Sequence, residues 1–240
     1  MAFEPFMQLL RSVQKRRIGV GGSVQNSQQM AYLRHLQKEI NKENAMLVPL
    51  QELNVVVFDI ETTGFIPERD SILSIGAIKM KGSRIIEEEQ FYSLIYFDQT
   101  IPKDIVELTG ITDDLVRSAP NIGDVMIKFF EFTQDATLVA HHASHERNFM
   151  QYFSNKVFKT PLKHRIVDTS FLYRIIESNF QNISLESLCE HNKIPIIDRH
   201  NALADAKMTA KIWSIYINKA IEIGCETLED VYTHFAKLKY

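Results

Sequence analysis

The chain has 240 residues, 45% of them hydrophobic and 24% charged, with a net charge of −3. That balance is typical of a globular protein with enough apolar material for a sizeable core. Its longest apolar runs, such as Val55-Val56-Val57-Phe58, fall far short of the ~18 residues a membrane span needs. Two cysteines, Cys189 and Cys225, exclude a disulfide framework, and neither belongs to a CxxC metal pair. Met1–Leu10 lacks the basic-then-apolar order of a signal peptide. The expectation is a cytoplasmic enzyme with reduced thiols and no membrane attachment.

Residues 1–50 form a helical, basic appendage, and 51–240 form the main domain. Phe3, Phe6, Met7, Leu10 and Val13 recur at helical spacing before the Gly19, Gly21, Gly22 cluster. A second helix is expected from about Gln28 to Asn44, and Pro49 closes the segment. Residues 1–50 carry seven Lys and Arg against three Glu, which makes this segment +4 and the remainder −7. Such an arm suits either backbone contacts to nucleic acid or a solvated helical face.

The main domain opens with Leu53–Ile60, an apolar and β-branched run that reads as a strand buried on both faces. Strands over Ile72–Lys81 and Arg84–Leu94 follow, joined by Gly82-Ser83. Helical patterns cover Asp104–Leu108 and Asn121–Phe132. Thr137–His141 reads as a strand, Ser144–Phe153 as a helix and Ile166–Thr169 as a fifth strand. Ser184–His191 has a Ser-capped helical pattern, and Ala202–Ile223 is the longest helix. Strands as a meander, then alternating with helices, imply an α/β fold with a mixed central sheet flanked by helices.

Four segments carry chemistry. Asp59 and Glu61 stand at i and i+2 of the first strand and so share a face. Carboxylates forced together raise each other's pKa, and a hard divalent cation such as Mg²⁺ or Mn²⁺ relieves that repulsion. His200 precedes Asp205 by five residues, which lets a mobile imidazole reach over a carboxylate held on a rigid helix. Asp within a helix costs propensity, so a compensating role is expected. A third segment, His141-His142-Ala143-Ser144-His145-Glu146, runs from a strand through a histidine-rich turn into a helix that Glu146 opens; a macrodipole contact also explains that glutamate. Asp168, at another strand end, reads best as a helix cap.

Together these segments resemble the DEDDh exonuclease superfamily, whose fold is ribonuclease H-like and which includes proofreading subunits of bacterial replicative polymerases and ribonuclease T. The resemblance spans about Leu53–Lys219. It rests on Asp59-Ile-Glu61-Thr-Thr-Gly64 and His200-Asn-Ala-Leu-Ala-Asp205, supported by Leu108-Thr-Gly-Ile-Thr112 and Leu185-Glu-Ser-Leu-Cys189. With His200 five residues before Asp205 and Asn201 four before it, the histidine variant is indicated rather than the tyrosine one. The middle motif departs from the usual His-Asn-Ala-x-Phe-Asp. Here Glu146 replaces the aspartate and moves the carboxylate out by one methylene. An altered rate, an altered metal preference and lost activity all stay open.

The resemblance implies 3′–5′ exonuclease activity on a single-stranded 3′ end of DNA or RNA, releasing nucleoside 5′-monophosphates. It implies that Asp59, Glu61 and Asp205 bind two divalent cations, Mg²⁺ or Mn²⁺, with support from Glu146, and that His200 is the base. Thr62, Thr63, Gly64, Phe65, His141 and His142 are candidate substrate contacts. Phe65 reads equally well as a stacking residue or a core residue. Two alternatives remain: a catalytically weakened scaffold or nucleic-acid-binding module, and a proofreading subunit that meets a polymerase or another protein through the N-terminal helices.

Overall fold

The structure, a computed structural model, describes Ala31, Tyr32 and residues 45–238. The helix expected over Phe3–Arg17 lies outside the described residues, as does all of the second expected helix but two residues. Those two, Ala31 and Tyr32, have helical backbone, and the Tyr32 hydroxyl donates to Glu131 Oε1 at 2.7 Å.

Five strands, β1 (Asn54–Thr62), β2 (Ile72–Lys81), β3 (Arg84–Leu94), β4 (Thr137–Ala140) and β5 (Ile166–Asp168), form one sheet in the order β3-β2-β1-β4-β5. The first three make an antiparallel meander, while β4 and β5 join in parallel. This is the mixed sheet expected from strands that first meander and then alternate with helices. The β2–β3 turn is Gly82-Ser83, with Gly82 at φ +56°. A side chain there would strike the backbone of Gln51.

Eight helices follow in the described chain: α1 (Lys103–Thr109), α2 (Asp113–Arg117), α3 (Ile122–Thr133), α4 (Ser144–Phe158), α5 (Ser170–Ile176), α6 (Leu185–His191), α7 (Ala202–Glu222) and α8 (Leu228–Lys237). The strand period of two divides the core into two layers. Val56, Phe58 and Ile60 of β1 pack with Phe129, Phe130 and Phe149 of α3 and α4. Val55 and Val57 face the other way and pack with Trp213, Tyr216 and Tyr173 of α7 and α5. Asp59 and Glu61 continue the Val55–Val57 row and therefore emerge on the side covered by α7.

The periodic segments appear at the expected places, but α2, α5 and α8 were not anticipated. The first two are short, five and seven residues, too short for an apolar stripe to stand out. α8 carries a signal in its capping box, in which Thr227 and Asp230 satisfy each other's backbone N–H groups. Residues 45–50 pack against α8 through Leu50, which is buried, and a hydrogen bond from Glu229 N to Met46 O. No helix among the described residues is long and apolar enough to cross a membrane.

Candidate active site

β1 delivers its two acids at the end where it pairs with β2 alone, beyond its pairing with β4 over Val55–Val57. Asp59 stands opposite Gly76 and Glu61 opposite Ser74, with a register irregularity immediately after Glu61. Gly76 decides what can lie above them. A Cβ built there would stand 2.2 Å from Leu203 N and 2.3 Å from the Ala202 carbonyl carbon, so the first turn of α7 rests on bare strand backbone. Asn201 caps that turn, its side chain accepting from Leu203 N and Ala204 N at 3.1 and 3.2 Å. Asp205 sits in this first turn, where the helix dipole favours a carboxylate, rather than in the helix middle. The sequence expectation of a propensity cost at Asp205 is corrected accordingly.

Asp59, Glu61 and Asp205 can each offer an oxygen so that all three lie within 4.8 Å of one another. Glu146, in the first turn of α4 and only 5% exposed, lies near enough for its charge to act on Asp59. Burial pushes the Asp59 carboxyl well above its usual range, and the charges of Glu146, Glu61 and Asp205 push it further. Burial raises Glu61 to about 7, aided by Asp205 and opposed by Arg199. Burial likewise raises Glu146 to about 8.

His200 precedes the cap with its backbone in the left-handed region, at φ 61°, and Asp198 is also left-handed at φ 47°. For residues other than glycine such a pair persists only where the surroundings enforce it. The His200 N–H donates to Asp205 Oδ2 at 3.1 Å.

The other sequence candidates separate into three groups. The loop after β1 is organised by Asp70, whose carboxylate accepts from Ile66 N at 2.8 Å and from the Thr63 hydroxyl at 3.3 Å. The same carboxylate lies where a side chain on Gly64 would have to go. Thr62 Oγ1 donates to Gly64 O at 2.6 Å. Phe65 is 87% exposed, which rules out its core reading. His141 is tied into the fold: Nε2 donates to Ile183 O at 3.0 Å, and Nδ1 lies 2.9 Å from Thr169 Oγ1. Burial, followed by the neighbouring His142, lowers its pKa to about 4. His142 is exposed, stacked on His141 with ring centroids 4.1 Å apart. Asp168 is not the expected cap: Thr169 holds the N-cap position of α5, while Asp168 ends β5 and its carboxylate accepts from Ser170 N at 2.8 Å and from Ala143 N at 2.9 Å.

Three residues beside the site are not among the candidates of the sequence. His145 lies 3.3 Å from Thr62 Oγ1 through Nε2 and edge-on to Phe65 at 5.9 Å. Since the Thr62 proton already goes to Gly64, Nε2–H is the donor. Arg199 pairs with Asp205 Oδ2 through Nη1, and its Nε donates to Glu186 Oε1 at 2.7 Å. Arg199 belongs to no periodic pattern, and Glu186 stands in a helical segment whose pattern gives no sign of an ion pair with it.

Residues 56–213 match the RNase_T family model, described as Exonuclease. This chain belongs to that exonuclease family. The exonuclease domain is 35% identical over 176 residues to DNA polymerase III PolC-type of Caldanaerobacter subterraneus subsp. tengcongensis, covering 73% of this chain and 12% of that protein. It is 34% identical over 178 residues to the PolC-type polymerase of Bacillus subtilis, covering 74% of this chain and again 12% of the relative. The chain thus spans a small part of the polymerases it matches.

Among solved structures, the nuclease domain of 3′hExo, a DEDDh family member bound to rAMP, aligns with TM-score 0.61 at 18% identity. That alignment covers 72% of this chain and 94% of that one. Exonuclease X in complex with 5′ overhanging duplex DNA aligns with TM-score 0.57 at 21% identity, covering 74% and 98%. At these identities the likeness establishes the shared fold.

The acidic cluster of Asp59, Glu61 and Asp205 fits divalent cations. Its donors are all carboxylate oxygens, the ligands Mg²⁺ and Mn²⁺ prefer. Among the described residues, Asp205 Oδ1 and Glu146 Oε2 are buried with no hydrogen-bond partner, a costly state that a cation would relieve.

Protein stripped of divalent cations should therefore show a pH-dependent stability. Glu61 and Glu146, at about 7 and about 8, titrate above their values in the unfolded chain. Their favourable contribution is complete below about pH 4.5 and is lost as pH rises through about 7 to 8. His141 and His164, both lowered to about 4 by burial, act oppositely and withdraw stability as pH falls from about 6.5 to about 4. Melting curves in EDTA are expected to decline on both limbs, and Mn²⁺ should restore the alkaline one. An alkaline limb that is flat in EDTA would show that these carboxyls are not raised.

Proposed function

We propose that this domain is a metal-dependent 3′–5′ exonuclease that hydrolyses single-stranded 3′ ends to nucleoside 5′-monophosphates. The observation that carries the reading is the convergence of Asp59, Glu61 and Asp205 oxygens within 4.8 Å, with the buried Glu146 bearing on the same site. Asp59, Glu61 and Asp205 would hold two cations, Mg²⁺ or Mn²⁺, with Glu146 supporting one of them. When bound, such a pair stabilises the charge that develops on a phosphate during in-line displacement.

The chain's own groups supply the rest. His200 takes the proton of the attacking water, a general-base role that histidine fills more often than any other side chain. The loop Thr62-Thr63-Gly64, held by Asp70, receives the terminal sugar. Phe65, exposed and edge-on to His145, stacks on the terminal base. His141, hydrogen-bonded to Ile183 O and close to Thr169 Oγ1, braces the β4–α4 turn, while the exposed His142 is free to meet the nucleic acid. Relatives named DNA polymerase III PolC-type favour DNA as the first substrate to test and association with a polymerase as a setting for the activity.

The direct test is incubation with 5′-labelled single-stranded DNA and RNA in Mg²⁺, Mn²⁺ or EDTA, beside Asp59→Ala. A ladder shortening from the 3′ end, lost in EDTA and in the variant, is expected. A folded protein that shortens neither strand under any metal would favour the second reading, a catalytically silent nucleic-acid-binding domain. Glu146 in place of aspartate and the Arg199 ion pair on Asp205 are the observations on its side. Phe65→Ala is expected to raise KM about 5–150-fold with a smaller change in kcat, since one stacked base is worth ~1–3 kcal/mol. An unchanged KM on single strands would remove Phe65 from the binding surface.

A further inference from the structure

The acidic cluster already contains a cation of its own. Arg199 reaches Asp205 Oδ2 through Nη1, while its Nε and Nη2 stand 2.7 and 2.5 Å from Glu186 Oε1. One guanidinium thus bridges the first turn of α6 to the first turn of α7. It does so from a segment whose flanking residues, Asp198 and His200, are both left-handed, so the backbone is held in an uncommon conformation that presents Arg199 inward. Asp205 is 3% exposed and keeps one oxygen, Oδ1, without a partner; the other is divided between Arg199 and the His200 N–H.

We infer that Arg199 is a built-in counter-ion which a divalent cation must displace from Asp205, with Glu186 as the site that receives it. The inference rests on the proposed reading of the carboxylates as cation ligands. Its physical basis is competition: a planar guanidinium and a dication both seek the same buried carboxylate oxygen, and their like charges repel across the site. Glu186 makes displacement feasible. The guanidinium stays neutralised through Nε and Nη2 when Nη1 leaves, instead of standing as an unpaired buried charge. The charge of Arg199 also opposes the rise in the Asp59, Glu61 and Asp205 carboxyls, so it does for the metal-free cluster part of what a cation does. Cation affinity is then set by residues that are not ligands.

The test is calorimetric titration of the full chain with Mn²⁺ alone, comparing wild type, Arg199→Gln and Glu186→Gln, each checked for its melting temperature. Arg199→Gln removes the competing charge and is expected to bind Mn²⁺ about tenfold tighter, the equivalent of one charge-assisted hydrogen bond. Glu186→Gln leaves Asp205 as the sole partner of Arg199 and is expected to bind Mn²⁺ more weakly. A bridge that merely braces the fold would weaken binding in both variants, so the opposite signs are diagnostic. Unchanged or weaker binding by Arg199→Gln overturns the inference while leaving the metal-dependent reading in place. Absence of Mn²⁺ binding in both wild type and Arg199→Gln overturns that reading and this inference with it. Should Arg199→Gln fail to fold, Glu186→Gln reads the same bridge from its other end, and unweakened Mn²⁺ binding there overturns the proposal.

Discussion

Replacing His200 with alanine is expected to lower turnover about 10²–10⁴-fold, the usual loss for a general base, with the fold and cation binding retained. The helix it precedes does not depend on the imidazole. Asn201, not His200, caps α7, and the bond from position 200 to Asp205 comes from the backbone N–H. The left-handed φ of 61° at this position introduces a backbone cost for alanine that could be mistaken for lost chemistry. Asparagine tolerates that conformation better, so His200→Asn should lose activity as fully as His200→Ala while melting closer to wild type. Single-turnover kinetics of both variants, with melting curves and Mn²⁺ titration, checks this. Near-normal turnover in either folded variant would remove His200 from the base role.

Gly76→Ala is expected to disable the site without touching any of its functional groups. The new methyl would stand 2.2 Å from Leu203 N and 2.3 Å from the Ala202 carbonyl carbon. These are backbone atoms of a capped helix end, which cannot yield as a flexible side chain would. The start of α7 must lift from β2, and because Gly76 faces Asp59 across the strand pair, Asp205 moves away from both β1 acids. Overpacking of this kind costs ~1–3 kcal/mol or more, a fall of roughly 2–12 °C in melting temperature for a domain of this size. Activity should fall far more than stability, because separating carboxylates weakens every cation they share. A Gly76→Ala protein with wild-type melting temperature and rate would mean that α7 does not rest on the strand as closely as this packing requires.

These two variants lie on opposite sides of what can be read from sequence. His200, Asp59, Glu61 and Asp205 stand out in the sequence because each belongs to a short pattern whose spacing has a chemical meaning. Gly76 belongs to none. It is one small residue inside a strand, and its role exists only because α7, more than 120 positions later in the chain, lands on it. Arg199 and Glu186 are similar. Neither charge shows a partner until α6 and α7 are brought side by side. Phe65 shows the reverse situation: its sequence left core and surface equally open, and the loop that Asp70 pins turns it out to solvent.

Local pattern was enough for the strand meander, the major helices, the two acids on one face of β1 and the family to which the domain belongs. Periodicity and motif spacing act over a few residues, and those features are built from interactions of that range. The close approach of α7 to Gly76, the inward guanidinium and the partnerless oxygens of Asp205 and Glu146 were settled by the fold. They depend on contacts between distant segments, where packing and burial, not propensity, determine which groups meet.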